Sequence, residues 1–192
     1  METERAIRER RSTREFSSKQ VKFEDLVKIL ETARLSPRAG NIETFRFVVV
    51  SDPKKKNQLA KICIDQNFIE NATYLVVVCS EIVQLKRFYK ERSEKYLKQQ
   101  VGAAIENMLI TATSLGLGSC WIGAFDESAI KALLRVPDGY EIEAVVAIGN
   151  ALRAPSMPKK FDLNMLVYFD VFGKPQGFKE KDIMTRETKY EK

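Results

Sequence analysis

Apolar residues recur along this chain with two different periods, and the alternation between them outlines the fold. From Phe23 the apolar positions are Phe23, Leu26, Val27, Leu30 and Ala33. Steps of three and four predict an amphipathic helix that ends near Ser36-Pro37. Arg38-Ala39-Gly40-Asn41 reads as a turn or loop. Residues 45–50 are β-rich and mostly apolar, which predicts a buried strand closed by Ser51-Asp52-Pro53. A helix is expected over 54–64 with Leu59, Ile62 and Cys63 inward, then a second apolar strand over 74–79. Residues 82–100 form a charged helical stretch in which Lys and Arg alternate with Glu, the mark of a solvated face. Residues 102–115 differ, because their apolar side chains wrap most of the way round a helix. Such a helix is buried in a core or in a subunit interface. Gly116 and Gly118 end it, and a third strand follows over 119–125. Asp126 reads as the N-cap of a helix running to Leu134. Pro137-Asp138-Gly139 is a turn, and residues 142–148 make a fourth strand.

Helices alternating with near-continuous apolar strands imply an α+β or α/β sandwich with both sheet faces covered. No repeats or low-complexity linkers interrupt the pattern. With 192 residues, the chain is expected to be a single domain. A chain of this size buries roughly 70% of the surface it exposes unfolded, so it needs no disulfide or structural metal. After Asn150 the pattern degrades. Pro155, Pro158 and Pro175 break up a basic tail, yet Leu163, Leu166, Tyr168, Phe169 and Phe172 make it too apolar for disorder. Residues 151–192 are therefore expected to form an arm docked on a partner subunit.

Composition then removes whole classes of chemistry. The sequence contains no histidine, which excludes Ser-His-Asp and Cys-His catalysis, His-ligated zinc and imidazole bases. Cys63, Cys79 and Cys120 lie far apart with no C-x-x-C pair, and read as small buried hydrophobes in a reducing compartment. The first 19 residues are highly charged, unlike a signal peptide. No apolar run approaches the ~18 residues a membrane helix needs. A cytoplasmic protein without a membrane partner is expected. The net charge of +6 alone would also suit a nucleic-acid binder. No groove-reading helix or aromatic platform accompanies it, so no nucleic-acid partner is expected.

Three clusters carry candidate chemistry. Arg10-Arg11-Ser12-Thr13-Arg14 could form a phosphate cradle, since guanidinium offers bidentate, permanently charged donors. Equally, it could be a solvated basic segment. Ser36-Pro37-Arg38-Ala39-Gly40-Asn41 ends a helix directly before a strand. It could press backbone groups against a flat ligand, with Asn41 pairing its edge, or simply turn the chain. In the third, residues 116–125, Gly123-Ala124 would bring a backbone N–H close to a ligand at the end of a strand.

Together these clusters resemble the nitroreductase family of flavin mononucleotide enzymes. The resemblance rests on Arg-Arg-Ser-x-Arg-x-Phe (10–16), Leu-Ser-Pro-x-Ala-x-Asn (35–41) and Phe-x-Val-Val (47–50). It continues through Gly-Ala-Ala-x-x-Asn-x-Leu (102–109) and Gly-Leu-Gly-Ser-Cys-Trp-Ile-Gly-x-Phe-Asp (116–126). It implies an α+β sandwich with a central, mainly antiparallel sheet flanked by helices. It further implies an intertwined homodimer with one FMN at each interface. Arg10, Arg11 and Ser12 would take the FMN phosphate, and Arg14 the pyrimidine side of the ring. Pro37, Arg38, Ala39 and Asn41 would reach the same FMN from the other subunit. Trp121 and Ile122 would lie along the flavin, with the N–H of Gly123 or Ala124 near N5. Lys159 or Lys160 would return to the phosphate, and Gln66 would touch the ring. The implied activity is ping-pong: NAD(P)H reduces FMN, and a nitroaromatic, quinone or similar small acceptor reoxidises it. Arg14, Gly123 and Ala124 would carry the catalytic contacts. Reductive dehalogenation, dehydrogenation and non-catalytic flavin binding on the same fold are the alternatives. Where family members often have Gln-Pro-Trp after the asparagine loop, this chain has Glu43-Thr44-Phe45.

Overall fold

The computed structural model describes residues 1–153, 155–174 and 177. It divides into two units, Met1–Pro155 and Ser156–Lys192. In the first unit, a four-stranded sheet is built from β1 (Phe45–Val50), β2 (Tyr74–Glu81), β3 (Gly118–Ile122) and β4 (Tyr140–Gly149). The spatial order is β1-β2-β4-β3 and every pairing is antiparallel. The helices are α1 (Thr3–Glu9), α2 (Phe23–Arg34), α3 (Pro53–Ile62), α4 (Val83–Tyr89), α5 (Ser93–Ser114) and α6 (Glu127–Leu134). This is the α+β sandwich.

Continuous apolar strands need cover on both faces, and each face has its own. Val76 and Val78 of β2 and Val146 and Ile148 of β4 point to one side, against Leu26 and Ile29 of α2 and Ile105 and Met108 of α5. The alternate residues Leu75, Val77 and Cys79 join Val145, Ala147, Leu59 of α3 and Ile130 of α6 on the other. All three cysteines are free and buried. Burial pushes the Cys63 and Cys79 thiols up to about 11, so neither supplies a thiolate near neutral pH.

The charged stretch 82–100 is not one helix. α4 stops at Tyr89, Lys90 takes a left-handed φ of 46°, and Ser93 opens α5, its hydroxyl donating to the Lys90 carbonyl at 2.5 Å. α5 therefore begins nine residues before the expected apolar helix and spans 22 residues. The reason is packing: Leu97 and Val101 continue the buried line of Ile105, Met108 and Ala112 backward through the charged segment. At its far end Gly116 (φ 74°) closes a Schellman turn. There Leu117 N–H donates to Ala112 O and Gly116 N–H to Thr113 O, both at 2.9 Å. α1, for which the apolar pattern gives no signal, buries only Ala6 and carries the i,i+4 pairs Arg5–Glu9 and Arg8–Glu4. β3 ends at Ile122 rather than 125, which leaves Gly123 and Ala124 outside the ladder.

In the second unit, Asp162 accepts from the Asn164 N–H at the head of a short 3-10 turn, Leu163–Met165. Tyr168 and Phe172 pack with ring centroids 4.6 Å apart, their planes tilted by 47°. Pro175 lies outside the described residues, as does most of the tail beyond Lys174.

Candidate functional site

β3 is an edge strand, and the arginine segment lies along it. Ser12 forms a parallel bridge with Ser119, and the Thr13 N–H donates to the Ser119 carbonyl at 2.8 Å. Further on, Phe16 bridges Ala151, and Ser17 N–H donates to Asn150 O at 2.8 Å. Two glycines make room for this strip. A Cβ on Gly118 would lie 2.7 Å from Thr13 Oγ1, and one on Gly149 would lie 2.6 Å from Phe16 Cδ1. The Gly-Leu-Gly run thus has two jobs: Gly116 turns the chain, and Gly118 admits the strip.

Extended backbone alternates its side chains. Thr13 is buried, while Ser12 and Arg14 face outward. Among the described residues, neither the Ser12 hydroxyl nor the Arg14 guanidinium has a hydrogen-bond or ion-pair partner. Arg14 lies close enough to Cys120 to oppose the burial that raises this thiol. The two preceding arginines diverge. Arg10 Nε is 3.4 Å from Glu106 Oε1 on α5. Arg11 Nη1 instead donates to the carbonyls of Arg8 and Arg10, both at 2.6 Å, and so caps the end of α1. Its Nε is buried without a partner among the described residues, as is Ser119 Oγ. Arg11, Glu9, Thr13 and the Gly116–Gly118 turn line a groove of about 350 Å³.

At the end of β3 the backbone opens. Trp121 is 42% exposed and Ile122 is buried. A Cβ at Gly123 would meet nothing within 4 Å, and Ala124 is exposed. Gln66 reaches this point, its Nε2 donating to Cys63 O at 2.8 Å and to Ala124 O at 3.4 Å. It arrives through a strained turn, in which Ile64 (φ 58°) and Asp65 (φ 50°) are both left-handed. A β-branched residue in that region is a true outlier. Asp126 N–H donating to Ile62 O at 3.1 Å ties the same turn to the start of α6.

The loop over 37–41 is held elsewhere, on the N-terminal half of α5. Gln100 Oε1 accepts the Ala39 N–H at 3.2 Å, and its Nε2 donates to Thr44 Oγ1. Pro37, Arg38 and Ala39 line a groove of about 220 Å³ with Tyr96, Gln99, Gln100 and Ala103. Arg38 donates to Glu43 and, at 3.2 Å, to Asn41 Oδ1. Ser12, Arg14, Gln66, Gly123 and Ala124 therefore gather along the β3 edge, Arg10 turns to Glu106 on α5, and Pro37, Arg38, Ala39 and Asn41 form a second cluster. Lys159 and Lys160 are exposed residues of the second unit. Sequence reasoning missed Gln100 and Glu106. Their signal was weak but present, as polar residues where α5 turns apolar.

No helix among the described residues is long and apolar enough to cross a membrane. The model of the Nitroreductase family matches residues 7–150. A protein of Archaeoglobus fulgidus with the provisional name NADH dehydrogenase/NAD(P)H nitroreductase is 33% identical over 144 residues, 73% of this chain and 80% of its own. Iodotyrosine deiodinase of Thermotoga neapolitana is 25% identical over 182 residues, 86% of this chain and 96% of its own. Among solved structures, NADPH:FMN oxidoreductase from Vibrio harveyi complexed with NAD+ superposes with a TM-score of 0.81 at 20% identity, covering 94% of this chain and 80% of that one.

Proposed function

As the chain belongs to the nitroreductase family, we propose that it is an FMN-dependent oxidoreductase. It takes hydride from NADH or NADPH and passes electrons to a nitroaromatic, quinone or similar small acceptor, as a cytoplasmic homodimer. The observation that carries this reading is the β3 edge, where an unpartnered cation and hydroxyl, Arg14 and Ser12, run beside a strand that ends in open backbone at Gly123-Ala124. That donor set suits a ligand with an anionic tail and a flat, carbonyl-bearing ring. Arg11 Nε on the strip and Ser119 Oγ on β3, both buried and without a partner among the described residues, add to the fit.

FMN, when bound, supplies a two-electron carrier that accepts hydride from nicotinamide and returns electrons to a second substrate. The residues do the rest. Ser12 and Arg10 would hold the phosphate by charge-assisted bonds. Arg11 has only its Nε and Nη2 left to contribute, since its Nη1 caps α1. Arg14 would set a permanent cation against negative charge on the pyrimidine edge of a reduced flavin. The N–H of Gly123 or Ala124 would be the donor to the ring edge, and Gln66 holds the Ala124 carbonyl. Trp121 would line the approach, whereas Ile122, expected beside it, is buried in the core and offers the ligand no side chain. Pro37, Ala39 and Asn41 would serve the FMN of a second copy, while the Arg38 guanidinium is turned onto Glu43 and Asn41. Exposed apolar residues on the first two helices, Ile7 at 52%, Phe23 at 66% and Val27 at 41%, support such a copy.

The deciding experiment is a visible spectrum. Purified protein, or protein reconstituted with FMN, should be yellow and bleach anaerobically with NADH or NADPH. A protein that cannot take up FMN overturns the reading. FMN uptake with no bleaching by either nucleotide leaves a flavin-binding protein without turnover. The near-full-length match to a deiodinase favours reductive dehalogenation as the second reading. Iodotyrosine as acceptor, with iodide release measured against nitroaromatic and quinone turnover, separates the two.

A further inference from the structure

Glu43 stands where family resemblance favours a neutral amide, and the structure gives the carboxylate a task. Its Oε2 accepts from Arg38 Nη1, while Arg38 Nη2 donates to Asn41 Oδ1 at 3.2 Å. A guanidinium carries five N–H donors and no acceptor. The atom of Asn41 that faces it must therefore be the oxygen, and both N–H bonds of the amide must point elsewhere. Asn41 is exposed, so they are presented to whatever lies against the loop. We infer that Glu43 and Arg38 form a positioning pair that fixes the Asn41 amide as a donor, so the loop selects a ligand edge made of acceptors. This rests on the FMN reading above, in which that edge is a carbonyl or unprotonated nitrogen of the flavin ring.

The surroundings make Arg38 the remaining control on that amide. The Asn41 backbone is pinned, with Gly40 at φ 57° and Asn41 at φ 55°, and with Asn41 N–H donating to Arg38 O and Ile42 N–H to Ala39 O, both at 3.1 Å. A Cβ on Gly40 would lie 2.7 Å from the Tyr89 hydroxyl, so the turn is seated against α4. Gln100 clamps the loop at Ala39 and Thr44. With the backbone fixed, the orientation of one terminal amide is left open, and an amide flips readily without a partner that distinguishes O from N. The Arg38 side chain is only 14% exposed, and Glu43 supplies the counter-charge that keeps it in place. Glu43 also faces Arg34, whose guanidinium is raised chiefly by its hydrogen bond to Glu31 and in lesser part by Glu43. Loss of Glu43 therefore frees Arg38 and leaves the loop with uncompensated positive charge.

The test is FMN affinity by fluorescence quenching, read beside the thermal midpoint of the apo-protein. Asn41→Asp keeps the shape and the Arg38 bond but replaces both donors by an acceptor, and should weaken FMN binding about tenfold or more. Arg38→Met and Glu43→Ala should each weaken it about threefold to tenfold while Asn41 is present. On an Asn41→Ala background, Arg38→Met should cost nothing further, because a positioning residue has nothing left to position. Glu43→Gln retains an oxygen for Arg38 and should restore affinity to within about twofold of wild type. Additive losses for Arg38→Met and Asn41→Ala would overturn the pair, as would an Asn41→Asp protein that binds FMN like wild type. If Arg38→Met does not fold, Glu43→Ala combined with Asn41→Ala makes the same comparison. Wild-type protein that binds no FMN fails the underlying reading itself, and the inference falls with it. Normal wild-type binding with an indifferent Asn41→Asp sinks the inference alone.

Discussion

The two parts of the candidate site are held in place by opposite means. The strip over 10–16 is fixed through its backbone: the Thr13 N–H bonds β3, Ser17 and Leu152 bond across at the end of β4, and two glycines let it lie flat. Its outward side chains, Ser12 and Arg14, contribute nothing visible to that attachment. The loop over 37–44 is fixed through side chains, since Gln100, Arg38, Glu43 and the Tyr89 hydroxyl set its path. A backbone-pinned segment can offer every outward side chain to a ligand. A side-chain-pinned loop uses part of its chemistry on itself, and what it offers depends on the residues that hold it.

This contrast breaks most forcefully at Gly118. Adding a methyl there sets a Cβ 2.7 to 3.0 Å from three atoms of the buried Thr13 side chain, whose backbone is bonded to the neighbouring Ser119 and cannot slide. Gly118→Ala should cost about 1–3 kcal/mol by overpacking and abolish FMN uptake, measured by chemical denaturation and flavin titration. A smaller loss is expected on the loop. Gln100→Ala leaves the Ala39 N–H and Thr44 hydroxyl without their partner at a nearly buried position. The expected cost is about 1–3 kcal/mol, toward the lower end if water reaches Ala39. FMN affinity should fall with it, since the whole loop shifts. If Gln100→Ala left both stability and affinity intact, the loop would be held by its backbone after all.

Much of this arrangement was readable in the sequence because it depends on periodicity and on residue types with few options. The strand expected over 74–79 follows from an unbroken apolar run and extends to Glu81, that over 45–50 from a β-rich run interrupted only at Arg46, and the α6 cap from Asp126, which accepts the Ala129 N–H at 3.0 Å. The break at Lys90 was hidden, because a left-handed lysine leaves no compositional trace and both flanking segments are helical by pattern. α1 was hidden for another reason: a helix that buries one alanine has no apolar face to detect, although its i,i+4 charge pairs were there to be counted. At the site, residue types gave the clusters but not their internal pairing. Arg10, Arg11 and Arg14 look equivalent in sequence. In the fold, one meets Glu106, one caps α1, and one has no described side-chain partner.

The Ile64 turn sharpens the comparison from a third direction, since it holds Gln66 by strain rather than by bonds to the side chain that strains. Ile64 is 69% exposed and left-handed. A left-handed conformation costs a β-branched residue roughly 1–2 kcal/mol, which Asn largely escapes. Ile64→Asn should therefore raise stability by about 1 kcal/mol in denaturant titration, with little packing to lose. FMN affinity should not improve, because Gln66 already reaches Ala124 in the strained form. A destabilised variant would mean that Ile64 packs on something the isolated chain leaves open.

The smallest effect on stability, and the most informative, is expected at Arg14. Its guanidinium has no partner among the described residues, and the strip beneath it is held by main-chain bonds on either side. Arg14→Ala should leave the unfolding free energy within about 0.5 kcal/mol of wild type. FMN affinity should fall about tenfold, or flavin reduction should slow, because only the bound ring uses that charge. Arg38 is the control of the same residue type. Its guanidinium is mostly buried and already pairs with Glu43 and Asn41, so Arg38→Met should lower stability and affinity together. If instead both arginines behaved alike, losing stability and affinity in the same proportion, the division between a strip that offers its side chains and a loop that consumes them would not hold.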